Sequence, residues 1–237
     1  MRFERCGVGF RIDNGKFRLT LPMTPGKRTK KDMRPFVFDD AYLAGMKDPV
    51  YLMYRDVGAL NPEFKRLEQK YRVRYDLTLM RNGLMGPEYI RTAGHYHPKS
   101  YSEIYEVLRG KAAFILQSRD LKKMAVVLAE KGEIVVIPPH YGHQSVNIGK
   151  TPLLTGNLSS SGFKSDYSVY EKKRGGAFYL DRCGGPRIMI NANYRISRAK
   201  FPKIKRMKGK KSIPLDKLFL KKSDKIADFL NGKAESF

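Results

Sequence analysis

All four histidines of this 237-residue chain fall within residues 92–147, in two clusters with a glutamate between them. The first cluster reads Thr92-Ala93-Gly94-His95-Tyr96-His97 and the second Pro138-Pro139-His140-Tyr141-Gly142-His143, with Glu103 in between. Side chains at i and i+2 of a strand project to one face, so His95 and His97 can reach a single ion together. Glu103 follows at the start of the next strand, and His143 comes from a later strand–turn unit. Imidazole suits iron, zinc, manganese, nickel or copper. Three histidines and a carboxylate leave positions open on a six-coordinate ion for substrate or water. His140 sits in the turn ahead of His143 and reads as a supporting or surface residue.

These residues need a β scaffold to hold them. Residues 104–108, 112–117, 124–128, 134–137 and 153–158 are short β-type runs, separated by Arg109-Gly110, Ser118-Arg119-Asp120 and Lys131-Gly132. Many short strands at close spacing predict a sandwich or barrel. Upstream, residues 8–20 predict a hairpin about Asp13-Asn14-Gly15, residues 21–35 a loop, and residues 39–47 a short helix. Asn61-Pro62-Glu63 has the cap, first-turn proline and early acid of a helix start. Val73, Tyr75, Leu77 and Leu79 alternate as one face of a strand over residues 72–80. Residues 177–191 predict a further hairpin about Cys183-Gly184-Gly185.

With 41% hydrophobic and 30% charged residues, the composition is that of a folded globular protein. No apolar run reaches the length of a membrane span, and the chain reads as cytoplasmic. Cys6 and Cys183 lie far apart and predict neither a disulfide framework nor a zinc ribbon. Lys plus Arg number 47 against 23 Asp plus Glu, a net +24, a field that attracts polyanions and phosphorylated metabolites. Residues 195–225 concentrate it, with thirteen Lys or Arg against two Asp. We divide the chain at this change of composition, into residues 1–194 and a basic extension, 195–237, ordered against a partner. Residues 215–230 within it predict an amphipathic helix.

The histidine stretch also carries a resemblance. Glu103 precedes Gly110 by seven positions, and the later block runs Gly132, Pro138, His143, Asn147. This frame resembles the two signature motifs of the cupin superfamily. Within it, Thr92-Ala93-Gly94-His95-Tyr96-His97-Pro98-Lys99, Glu103-Ile104-Tyr105 and Val136-Ile137-Pro138-Pro139 resemble the archaeal cupin-type glucose-6-phosphate isomerases. The resemblance spans roughly residues 28–180. It implies an all-β fold, a small jelly-roll cupin barrel with a few short helices, here with the basic C-terminal extension. It implies a homodimeric enzyme of glycolysis and gluconeogenesis that interconverts glucose 6-phosphate and fructose 6-phosphate. It also implies one divalent metal per chain, iron(II) first, with manganese, zinc or nickel as alternatives.

Position by position, the resemblance implies His95, His97, Glu103 and His143 as metal ligands. It gives Glu103 and Tyr105 the catalytic work and places Thr78, Thr92 and Gly94 near the substrate phosphate. Tyr51, Lys99 and Tyr167 join them as substrate contacts. On a regular strand Thr92 has the wrong parity to share a face with His95, and Gly94 is expected to introduce the bulge that corrects it. Ser159 and Ser165 depart from the family, which often carries tyrosine and histidine there.

Two other readings compete. One is a metal-binding cupin acting on another sugar phosphate or in a dioxygenase reaction. The other is a cupin scaffold that binds RNA or the ribosome through residues 195–225, with binding that falls steeply with salt.

Overall fold

In a computed structural model, residues 2–13, 15–182 and 187–237 of the protein are described. Two sheets face each other. The larger runs in the order β19 (Lys210–Lys211), β13 (Glu133–Ile137), β10 (Glu103–Arg109), β15 (Leu153–Ser160), β6 (Val73–Met80), β5 (Tyr51–Tyr54), β4 (Gly26–Arg28). The smaller runs β18 (Ile204–Lys208), β12 (Met124–Glu130), β11 (Lys111–Ser118), β14 (Tyr141–Asn147), β9 (His95–Tyr96). All pairings within them are antiparallel except β18 on β12. Between β9 and β15 the chain passes repeatedly from one sheet to the other, as in a jelly roll.

Three apolar clusters hold these layers. Inner-face residues Tyr105, Val107, Val135 and Ile137 of the larger sheet meet Phe114, Leu116 and Val127 of the smaller. The outer face of the larger sheet is also covered. Tyr75, Leu77, Ile104 and Leu158 pack against Phe10, Phe64, Phe219 and Phe229 from flanking elements. Those elements are β2 (Val8–Asp13), helix α2 (Pro62–Tyr71), and the C-terminal helices α4 (Leu215–Lys221) and α5 (Ser223–Leu230). A third cluster sets Ile115, Val126 and Val146 against Phe178 and Leu180 of β16 (Phe178–Asp181). Burial on both faces explains why every residue of β15 is buried and why its sequence shows no clean alternation.

Local expectations are mostly realised. Asn61 Oδ1 accepts from the N–H groups of Glu63 at 2.9 Å and Phe64 at 3.2 Å, capping α2. Asn14 and Cys183-Gly184-Gly185, the two expected turns, lie outside the described residues, though β16 and β17 (Arg187–Ile190) do pair across the second. Cys6 is buried and free. Residues 39–47 form only a 3-10 turn, Asp40–Leu43, and the expected loop contains β4 and the short helix α1 (Lys30–Met33).

Two differences bear on function. His143, expected on a strand–turn unit of no stated bounds, lies on β14 (Tyr141–Asn147), a full strand paired to β11 along its length. Residues 195–237, expected to order against a partner, pack on the chain's own sheets and core. β18 and β19 each extend one of the two sheets, and Leu215, Phe219, Ile226 and Phe229 are buried in the core. Fully burying each such side chain contributes about 1.5–3 kcal/mol, which outweighs the mutual repulsion of screened surface lysines. Among the described residues no helix is long and apolar enough to cross a membrane.

Candidate metal centre

The register of the strands assembles the histidines. His95 on β9 and His143 on β14 are direct cross-strand partners. Glu103, the first residue of β10, lies between Ile137 of β13 and Ser159 of β15. His97 follows His95 just past the end of β9. The ligating atoms of all four groups lie within 4.8 Å of one another. His95 Nε2 is 3.2 Å from His97 Nε2. Glu103 Oε2 lies 3.3 Å from His97 Nε2 and 3.0 Å from His143 Nε2.

Burial sets the charge state. It pushes the His95 and His143 imidazoles below their ordinary pKa, and for His95 the neighbouring histidines add to the effect. Burial alone would raise the Glu103 carboxyl. The His143 and His97 imidazoles beside it outweigh that and hold it well below the usual carboxylate range. These directions favour neutral imidazole at His95 and His143 and an ionised carboxylate at Glu103, the protonation state a metal requires of its ligands.

The donor set fits a divalent ion. Two ligands about 2.1 Å from one ion at right angles are roughly 3 Å apart, and the spacings above match. Glu103 Oε2 is buried and makes no aligned hydrogen bond. An unpartnered buried carboxylate oxygen is costly, and a cation at this point would satisfy it. The other oxygen is held from outside the cluster: Asn157 Nδ2 donates to Glu103 Oε1 at 2.6 Å. A buried donor of this kind fixes the orientation of a ligating group.

The centre opens on a small cavity of about 40 Å³ that Tyr51, Thr78, Thr92, Gly94, Tyr105 and Tyr167 help to line. Tyr105 Oη sits 3.2 Å from His143 Nε2. Burial, then the Glu103 carboxylate, push its pKa well above the ordinary value, so the phenol is neutral. The ring of Tyr167 lies 5.3 Å from that of His95. The parity problem at Thr92 is resolved by irregular backbone. Residues 92–94 are outside any strand, with Gly94 at φ +85°, and Thr92 and His95 line the same cavity. Glycine is required there, since a Cβ would lie 2.5 Å from Gln144 Cγ and Tyr170 Cδ1.

Lys99 is not brought to the site. It is exposed, at φ +50°, in the left-handed turn after His97, and lines neither this cavity nor the basin beside it. His140 is likewise exposed, at φ +66°. Conversely, Asn157, Arg55 and Arg74 line the cavity without having been anticipated. Arg74 shares its strand face with Thr78, two alternations away, so following that face from Thr78 would have found it.

The sequence model of the family described as glucose-6-phosphate isomerase matches residues 27–197. A relative from Thermococcus gammatolerans named glucose-6-phosphate isomerase is 29% identical over 172 residues, 71% of this chain and 87% of its own length. One of the same name from Thermococcus onnurineus is 26% identical over 198 residues, 81% of this chain and 98% of its own. Among solved structures, an oxalate decarboxylase from Lactobacillus farciminis aligns with 51% of this chain and 32% of its own, at 20% identity and a TM-score of 0.38.

Proposed function

The chain belongs to the glucose-6-phosphate isomerase family, and from that premise we propose that it interconverts glucose 6-phosphate and fructose 6-phosphate at the histidine–glutamate centre. The observation that carries this reading is the convergence of His95, His97, Glu103 and His143 beside a hydroxyl-lined cavity that the first three help to line. These four residues would hold a divalent ion, iron(II) first, with manganese, zinc or nickel as alternatives. When bound, such an ion acts as a Lewis acid toward the oxygens on C1 and C2 of the open-chain sugar.

The chain's own groups supply the rest. Glu103 is the carboxylate that lines the cavity, and we assign it the proton that leaves C2 and returns at C1. General acid–base help of this kind contributes about 10²–10⁴-fold. Asn157 keeps Oε1 from rotating away. Tyr105, neutral and buried, is placed to donate its phenolic proton to charge developing on a substrate oxygen. Tyr51, Thr78, Thr92, Gly94 and Tyr167 are assigned as contacts to the sugar. Burial of the cluster excludes bulk water, which strengthens each of these interactions.

A coupled assay on fructose 6-phosphate tests the reading. Activity should vanish with chelator, return with iron(II) or manganese(II), and be absent in Glu103→Gln. Activity that survives complete metal removal would contradict it. We further assign the protein to the cytoplasm as a homodimer, for which light scattering should give twice the chain mass.

A second reading concerns the surface of residues 195–225. Lys205, Arg206 and Lys208 on β18 and Lys210 and Lys211 on β19 are all exposed, which favours contact with a nucleic acid or the ribosome. RNA affinity should then fall with rising salt and drop when these five become serine. Equal affinity of the two proteins would refute it. Truncation cannot serve as the test, because α4 and α5 belong to the core.

A further inference from the structure

Residues 98–102 join two of the candidate metal ligands, His97 and Glu103, and belong to no strand or helix. A connector without regular structure has few bonds of its own to fix the ligands at its ends. The C-terminal end of α5 supplies them. The Ser102 N–H donates to the Leu230 carbonyl at 3.4 Å, and both residues are wholly buried. Gly232, at φ +74°, runs so close to Ser100 that a Cβ on it would lie 3.0 Å from the Ser100 backbone. The chain leaving α5 therefore meets the connector on both sides of Tyr101.

A second arm reaches the same ligands through Asn231. Its Oδ1 accepts the Ser160 hydroxyl at 2.7 Å, and its Nδ2 donates to the Tyr71 and Ala227 carbonyls, each at 2.9 Å. Both amide protons are thus spent, which fixes the oxygen toward Ser160. Ser160, wholly buried at the end of β15, in turn accepts the Gly162 N–H at 3.1 Å. That bond holds the turn carrying Phe163, whose ring lies 4.6 Å from that of His97 and stacks on Tyr101 at 4.7 Å. Ser159, the neighbour of Ser160, is the register partner of Glu103. Asn231 therefore grips the strand beside Glu103 and, through Ser160, the ring beside His97.

His97 needs such support. A metal-ligating imidazole is ordinarily oriented through its second nitrogen, yet His97 Nδ1 is buried with no protein partner among the described residues. Packing by Phe163 and the hold on the connector take over that task. We propose that Leu230, Asn231 and Gly232 form a clamp that positions His97 and Glu103 as ligands, with Asn231 as its main positioning residue. Holding the connector in advance leaves less conformational freedom to be lost when an ion binds. The clamp lies outside residues 27–197, the segment that the family model matches. It rests on the metal reading of the centre and not on the identity of the sugar.

The test measures cobalt(II) affinity by competition against a chelator, the visible absorption of the cobalt(II)-loaded protein, which reports ligand geometry, and turnover of fructose 6-phosphate. The full-length proteins compared are wild type, Asn231→Ala, Ser160→Ala, their double variant, Gly232→Ala and Ile226→Val. Asn231→Ala and Gly232→Ala should weaken cobalt(II) binding about tenfold, the scale of a lost support to a metal ligand, and alter the visible band. Ser160→Ala should act like Asn231→Ala, and the double variant should bind within about twofold of either, because the two residues share one arm. Ile226→Val trims the buried face of α5 and controls for stability alone; it should lower the melting temperature with affinity within about twofold of wild type. Affinity lost in Asn231→Ala with no turnover by any protein would uphold the clamp and refute the isomerase. Affinity and visible band unchanged in Asn231→Ala, an equal loss of affinity in Ile226→Val, or no cobalt(II) binding by wild type would overturn the clamp. Should Asn231→Ala fail to fold, Ser160→Ala decides by the same measures.

Discussion

Replacing Asn157 by leucine probes how the ligand set is held. Asn157 is 2% exposed, and its amide donates to Glu103 Oε1 at 2.6 Å. Leucine has the same branching at Cγ and is larger, so water gains no room to take the amide's place. The variant leaves a buried, ionised oxygen without a donor. A hydrogen bond to a charged group contributes about 1.5–3 kcal/mol, equivalent to roughly 10–150-fold in a binding constant. Loss of supporting contacts to metal ligands typically costs about 10–100-fold in affinity, which agrees. Competition against a chelator of known affinity should therefore show metal binding weakened at least about tenfold. Asn157→Ser, which keeps a donor, should fall in between. An affinity for Asn157→Leu within about twofold of wild type, in a protein that melts normally, would refute a role for the amide in orienting Glu103.

Three further outcomes follow from the packing. Burial raises Glu68 from 4.5 to about 8, so between those pH values the folded chain holds a proton that the unfolded chain has released. Stability must then fall as pH rises through that window, by at most about 1.4 kcal/mol per pH unit. Glu68→Gln should flatten the melting temperature between pH 5 and 8 relative to wild type, and parallel curves would contradict this. Gly94→Ala places a Cβ against Gln144 and Tyr170 at a left-handed φ, and should lower both metal content and melting temperature. Normal values of both would contradict the requirement for glycine. Phe219→Ala removes a wholly buried ring from the core, at about 3–5 kcal/mol; an unshifted denaturation midpoint would show that the C-terminal helices are dispensable.

Much of this architecture was legible in the residues, for identifiable reasons. β10, β11, β12, β13 and β15 are apolar runs bounded by turns, and the α2 cap is local chemistry. The cluster of His95, His97, Glu103 and His143 was legible because histidine is scarce here and its spacing is particular. β14 was not, because it turns His143 and Ser145 one way and Gln144 the other. Gln144 Nε2 donates to the Ala93 carbonyl at 3.1 Å. Both faces are therefore polar yet buried, and no alternation marks the strand. β18 and β19 were hidden because edge pairing uses backbone groups, which leave no mark in side-chain type. Arg74 and Asp76 stand opposite the apolar face of β6, where charge is ordinarily solvated. Only the fold of the second sheet over them makes that face the wall of a cavity.

The central claim is tested most directly by following fructose 6-phosphate by NMR in the presence of protein whose bound metal has been quantified. The account predicts conversion to glucose 6-phosphate at one divalent ion per chain, and none after chelation or in Glu103→Gln. Full metal occupancy with fructose 6-phosphate unchanged would contradict it.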